Sequence, residues 1–183
     1  MNLRTNVREL VITAAMTAVL CILAPLAIPI GPVPISLATF AVMLCSNVLG
    51  WKRGVLCVLI YLALGVVGVP VFSGFAGGIS CLLGPTGGYL FGYLLLAFST
   101  GFAADRFRGK VVFEALGMII GTILLYLLGT WVLKLQMQLT FGRALQLGVL
   151  PFLPGDALKI VLVLILGPIL YRSLRQAGVF QNQ

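Results

Sequence analysis

The sequence contains no histidine, and of its 183 residues only four are acidic: Glu9, Asp105, Glu114 and Asp156. Ser36, Ser46, Ser73, Ser80 and Ser99 therefore have no imidazole to act as a general base, which leaves a serine-hydrolase mechanism without its second member. The four cysteines, Cys21, Cys45, Cys57 and Cys81, show no Cys-x-x-Cys spacing, and with no histidine beside them no metal site is expected. Three of these thiols read as small apolar packing residues and Cys81 as part of a loop. Nor is there a nucleotide-binding loop. Gly84-Pro85-Thr86-Gly87-Gly88 lacks the Gly-Lys-Ser/Thr ending that cradles phosphates. A proton-driven carrier keeps ionisable groups inside the membrane; here three of the four acids fall near one side, and only Asp156 lies elsewhere. The chain is expected to have no catalytic residue, no cofactor and no motor of its own, so that any uphill transport draws its energy from another subunit.

Charge is scarce as well, at 9% of residues, against about 25% in an ordinary soluble domain. What replaces it is apolar sequence: 61% of residues are hydrophobic and the mean hydropathy is +1.15. A spanning helix needs about 20 mostly apolar residues. Six stretches approach that length, at Leu10–Ile30, Ile35–Gly50, Val55–Val71, Gly87–Ala104, Val111–Leu133 and Asp156–Tyr171. The expected fold is an all-α integral membrane protein, a six-transmembrane-helix bundle forming a single membrane domain over residues 1–183. The second stretch is short for a crossing and suggests a buried or broken helix. The first is too long, and lacks the small-residue cleavage site, for a signal peptide.

The twelve basic residues give a net charge of +8. A nucleic-acid surface gathers its cations on one exposed face. Here they sit in small clusters in alternate gaps: Arg4 and Arg8, Lys52 and Arg53, Arg106 with Arg108 and Lys110, Arg172 and Arg175. That is the positive-inside pattern. It places both termini in the cytoplasm and argues against a nucleic-acid partner. Lys134, Arg143 and Lys159 fall on the outer side and depart from it.

The outer gaps carry the functional signals. Gly31–Ser36 and Pro70–Gly88 hold no charge and are rich in glycine and proline. In the longer one, Gly74, Gly77, Gly78, Gly84, Gly87 and Gly88 permit close backbone approach to a ligand, and Phe72 and Phe75 offer apolar cover. Against a lid over a pocket stands a tight structural connection, since Gly84, Gly88 and Gly92 have helix-packing spacing. Tyr89 is read either as an interfacial aromatic or as a pocket wall with a hydroxyl donor. Asp156 and Lys159 share a helix face one turn apart. They serve either as a helix cap that complements the dipole, with Lys159 snorkelling to the interface or pairing with Asp156, or as polar anchors in an apolar pocket. Residues 140–147 suggest a short interfacial helix on which Arg143 is solvated. In the first span, Ala14 and Ala18 form a small-xxx-small pair, suited to packing within the bundle or to a partner helix.

Four segments together carry a family resemblance: Gly31-Pro32-Val33-Pro34-Ile35-Ser36; Gly68-Val69-Pro70-Val71-Phe72-Ser73-Gly74-Phe75; Leu83-Gly84-Pro85-Thr86-Gly87-Gly88-Tyr89; and Pro151-Phe152-Leu153-Pro154-Gly155-Asp156-Ala157-Leu158-Lys159. In order and over the whole chain they resemble the BioY family, the biotin-binding S-components of energy-coupling factor transporters. The resemblance implies a multi-pass protein of a prokaryotic plasma membrane that captures biotin from outside. Its implied partners are a transmembrane coupling subunit and two ATP-binding subunits, with membrane lipid around it. Ala14 and Ala18 then become the docking face for the coupling subunit. The implied binding set is Asp156, Lys159 and Tyr89 with Phe72, Ser73, Gly74, Phe75, Gly77 and Gly78. Asp156 suits the ureido N–H donors, Tyr89 the ring system and Lys159 the carboxylate. Because Asp156 and Lys159 are only about 5–6 Å apart at Cβ, a second arrangement stays open, in which both serve one end of biotin and loop N–H groups or Arg143 meet the tail. Two other functions also stay open: an S-component for another vitamin, and a small passive channel or facilitator whose glycine-rich loop acts as a filter.

Overall fold

A computed structural model describes residues 7–177; Arg4, of the amino-terminal basic cluster, lies outside them. The described chain is mostly helical. It runs α1 (Val7–Leu23), β1 (Ala27–Ile28), β2 (Ile35–Ser36), α2 (Ala38–Leu49), α3 (Trp51–Val66), α4 (Ile79–Leu83), α5 (Gly87–Phe107), α6 (Val111–Met137), α7 (Phe141–Gly148) and α8 (Leu153–Gln176). Three helices, α5, α6 and α8, are long and apolar enough to cross a membrane. The outer faces of α6 and α8 carry exposed Ile119, Ile120, Ile123, Leu127, Ile165 and Ile169, a surface suited to hydrocarbon rather than water. The short helix expected at 140–147 forms as α7.

The chain is organised around α2. Its 12 residues rise about 18 Å, well short of a hydrocarbon core of about 30 Å, and all but Phe40 are buried. α1, α3, α5 and α8 all pack against it. At its end Gly50, with φ of 81°, turns the chain into α3. A side chain there would run into the Asp105 carboxylate, which accepts a hydrogen bond of 3.0 Å from the Trp51 N–H.

The most extensive helix pair is α5 with α6, and glycines on both set its closeness. A Cβ on Gly88 would stand 2.7 Å from the Leu128 carbonyl and from Val132 Cβ, and one on Gly92 would stand 3.0 Å from Leu125 Cα. From the other side, Gly117 lies against Ala103 and Gly121 against Leu96. Small residues four apart let backbones touch where no hydrophobic force acts between helices in lipid.

The first apolar stretch departs from its expected helical length. α1 stops at Leu23, because Pro25 disfavours helix before it and Pro29 lacks the N–H to continue one. Residues 27–36 instead form a two-stranded antiparallel ribbon that pairs Ala27 with Ser36 and Ile28 with Ile35. The glycine-rich loop is pinned to its neighbours. The Gly74 N–H donates to the Pro25 carbonyl at 2.9 Å and the Gly78 N–H to the Gly65 carbonyl at 2.7 Å. Gly74, Phe75 and Gly78 all take positive φ, at 74°, 60° and 96°. Phe72 is buried over Gly65, which has no side chain to exclude it, and meets Tyr61 edge to face at 5.4 Å.

Overpacking a close helix contact costs about 1–3 kcal/mol. Gly88→Val is therefore expected to lower the thermal unfolding temperature of detergent-purified protein. Gly142→Ala, where an added Cβ meets nothing within 4 Å, is expected to cause no loss.

Candidate functional site

A cavity of about 170 Å³ lies where the ribbon, the glycine-rich loop, the first turns of α2, α5 and α8, and the middle of α6 converge. Its polar end is built on α8. Asp156 and Lys159 are only 4% and 8% exposed, and their side chains pair at 2.8 Å. Thr39 of α2 completes a triangle: its hydroxyl donates to Asp156 Oδ1 at 3.0 Å and accepts from Lys159 Nζ at 2.9 Å. Tyr126 of α6 donates to Asp156 Oδ2 at 2.6 Å. The third Lys159 proton goes to the Ser36 carbonyl on the ribbon at 2.8 Å.

This excludes a side-chain cap and a snorkelling lysine, while the pairing of Lys159 with Asp156 is observed and Asp156 stands in the first turn of α8. The cap position of α8 is Phe152, with no side-chain hydrogen bond, and the Asp156 carboxylate points across at α2 and α6. A carboxylate offers about four acceptor positions and an ammonium three donors. Lys159 has used all three of its protons, while Asp156, with three bonds, keeps one acceptor position.

The remaining walls are apolar and aromatic, including Val33, Phe72, Leu90, Tyr93, Leu125 and Phe152. Tyr89 is a buried wall residue, 6% exposed, rather than an interfacial one. Its hydroxyl donates to the Gly148 carbonyl of α7 at 2.9 Å, and its ring lies on Gly129 and Gly148, where any side chain would collide with it.

Of the loop residues singled out in the sequence, Phe72 and Ser73 line the cavity, whereas Gly74, Phe75, Gly77 and Gly78 are not among its lining residues. Phe75 stands 64% exposed. Arg143 is exposed on α7 and donates to Gln146 at 3.3 Å, away from the cavity. Ala14 and Ala18 are exposed on α1, while Thr13, Met16, Thr17 and Leu20 of the same helix face inward. The alanines thus do not pack within this bundle. Sequence reasoning missed Thr39, Tyr126, Tyr93, Phe152 and the Ser36 carbonyl. The available signal was weak: isolated hydroxyls within apolar helices, separated from Asp156 by up to 117 residues. Among the described residues no group of three or more His, Cys, Asp or Glu side chains is placed to hold a metal ion.

The arrangement suits a compact ligand with an apolar body and polar ends, which Asp156 can accept from without rearrangement. Comparison with known proteins points the same way. The sequence model of the BioY family matches residues 1–176. The chain is 38% identical over 176 residues to the biotin transporter BioY2 of Lactococcus lactis subsp. cremoris, covering 96% of this chain and 97% of that one. It is 40% identical over 154 residues to the biotin transporter BioY of Thermotoga maritima, covering 84% and 90%. A crystal structure of the S-component for biotin from an ECF-type ABC transporter superposes with a TM-score of 0.84 at 33% identity, covering 96% and 95% of the two chains.

Removing one partner of a buried ion pair costs about 3–5 kcal/mol, whereas replacing both by neutral groups of similar size is often tolerated. Lys159→Ala is expected to lower the unfolding temperature clearly. The Asp156→Asn/Lys159→Met double variant is expected to recover most of that loss in the same thermal assay.

Proposed function

The chain belongs to the BioY family, and on that premise we propose that it is a biotin-binding S-component that captures the vitamin from outside the cell and delivers it through an ATP-driven energising module. The observation that carries the proposal is the buried, hydrogen-bonded Asp156–Lys159–Thr39–Tyr126 cluster at one end of an aromatic cavity, in which Asp156 keeps one acceptor position. Biotin is the transported ligand, and the protein needs no cofactor. The fused rings lie among Tyr89, Tyr93, Phe72 and Phe152. One ureido N–H donates to the spare acceptor position of Asp156. Lys159 meets the ligand's anionic or carbonyl oxygen by exchanging one of its three present acceptors, and the Ser36 carbonyl on the two-residue ribbon is the one most readily given up.

In this reading the chain is a single membrane domain with both termini in the cytoplasm, and its six crossings are α1, α3, α5, α6, α8 and α2 together with the ribbon that leads into it. The cavity lies near the outer face, gated by the Pro70–Gly88 loop and the Gly31–Ser36 turn. Ser73, Gly74, Phe75, Gly77 and Gly78 act through that gate. The exposed Ala14 and Ala18 form a flat patch on α1 that supports docking to a transmembrane coupling subunit, itself carried by two ATP-binding subunits. Lys134, at the outer end of α6, is explained by the helix dipole, since a cation in the last turn is stabilising.

Three experiments test this reading. Calorimetric titration of biotin into the purified protein is expected to saturate near one biotin per chain, and riboflavin and thiamine are expected not to compete. A hydrogen bond to a charged group contributes about 1.5–3 kcal/mol, so Asp156→Asn is expected to weaken biotin binding by roughly 10- to 100-fold; unchanged affinity would remove Asp156 from the site. The Ala14→Trp/Ala18→Trp variant is expected to bind biotin normally yet fail to copurify with the energising subunits or support uptake. Wild-type copurification would move the docking face elsewhere.

A further inference from the structure

A second cleft, of about 340 Å³, lies at the end of the bundle away from the biotin cavity, between the α5–α6 turn and the last turns of α8. Arg175 is 19 residues beyond Asp156 on α8, about 28 Å along the helix axis. The cleft is lined by Arg108, Arg172 and Arg175, with Tyr171, Asn47 and Glu114 as its other polar members.

Arg108 is held in place from three sides. It donates to the Asn47 carbonyl at 3.2 Å, lies 3.5 Å from Asp105 Oδ1, and stacks 3.8 Å above the Tyr171 ring. Glu114 is the one acid on the lining and is 5% exposed. Both of its oxygens are occupied, one by the Asn47 amide at 2.9 Å and the other by the Gly109 N–H at 2.8 Å. Arg172 and Arg175 are exposed, and among the described residues no carboxylate pairs with either. The lining therefore carries three cations against one anion whose oxygens are already engaged.

The membrane orientation of the chain needs positive charge near this end, but it does not need a cleft, nor one guanidinium fixed by three partners. The apolar surface continues directly into the cleft. Ile165 and Ile169, 55% and 57% exposed, stand on α8 just before Arg172, and Val111 and Val112 are exposed at the start of α6. We propose that this cleft binds the phosphate headgroup of an anionic phospholipid, with the acyl chains lying along Ile165 and Ile169. Guanidinium groups match phosphate oxygens in pairs, and basic pockets between helices at a membrane face are the recognised setting for such headgroups. A lipid, rather than a soluble phosphate, fits the junction of cationic cleft and apolar flank.

The test uses the full chain in lipid nanodiscs of phosphatidylcholine with increasing phosphatidylglycerol, read by unfolding temperature and by native mass spectrometry of retained lipid. Wild-type protein is expected to show a saturable rise in unfolding temperature and to retain phosphatidylglycerol over phosphatidylcholine. Arg172→Ala/Arg175→Ala is expected to weaken phosphatidylglycerol retention about 30-fold, at roughly fivefold per basic residue, while its biotin affinity stays that of wild type and so reports an intact fold. Lys52→Ala, a cation at the same end but outside the cleft, is expected to leave retention unchanged. Equal retention by the double variant, or an equal loss in Lys52→Ala, would overturn the site. Inorganic phosphate that reproduces the whole thermal shift in zwitterionic nanodiscs would overturn the lipid as its occupant.

Discussion

An ammonium and a carboxylate removed from water lose several kcal/mol of solvation each, and their mutual attraction offsets this only when every remaining donor and acceptor finds a partner. Lys159 meets that condition in full, and Asp156 meets it with all but one acceptor position, by drawing on four separate parts of the chain: their own helix, Thr39 on α2, Tyr126 on α6 and the Ser36 carbonyl on the ribbon. The positions of these segments are therefore coupled. A shift of α2 or of the ribbon would leave a buried charged group with one hydrogen bond fewer, a steeper penalty than the loss of any one apolar contact. This is why so short a helix as the 12-residue α2 is held at the centre of the bundle.

The same helix is anchored at its other end by the same physics. Asn47, in the last turn of α2, donates its amide to the buried Glu114 carboxylate and accepts from Arg108 through its backbone carbonyl. It lies against Gly167 of α8, where any side chain would collide with its amide oxygen. α2 is thus a short apolar rod with a polar fixing at each end, one facing the ligand cavity and one facing the basic cleft. The aromatic walls follow a parallel rule. Tyr89 needs Gly129 and Gly148, and Phe72 needs Gly65, because a large ring buried against a helix requires a missing side chain opposite it.

Much of this was legible in the sequence, for identifiable reasons. The long apolar runs that became α5, α6 and α8 exceed what a soluble core requires, so hydropathy alone marked them. Asp156 and Lys159 stood out because charge in an apolar stretch is costly and rare, and their three-residue spacing on one helix face follows from helical geometry. Proline fixed where α1 ends only once its local effect was weighed against the apolar run that continues to Ile30; hydropathy does not register the missing N–H.

The partners of the charged pair were not legible. Thr39 and Tyr126 are ordinary residues in their own helices, and nothing local distinguishes them from Thr122 or Tyr61. Glycines showed a similar division: Gly88 and Gly92 were readable as helix contacts from their spacing, but Gly129 and Gly148 acquire their role only through a tyrosine that packs on them from another helix. Which face of α1 would be left bare was likewise undecided, since Ala14 and Ala18 fit an internal contact as well as an external one. By itself the sequence determined membrane character, helix content and the charged pair, because these depend on composition and on neighbours within one helical turn. The cavity, its hydroxyl partners and the exposed alanine face were decided by tertiary structure, because they depend on which helices meet, and residues separated by 30 to 123 positions carry no local mark of that meeting.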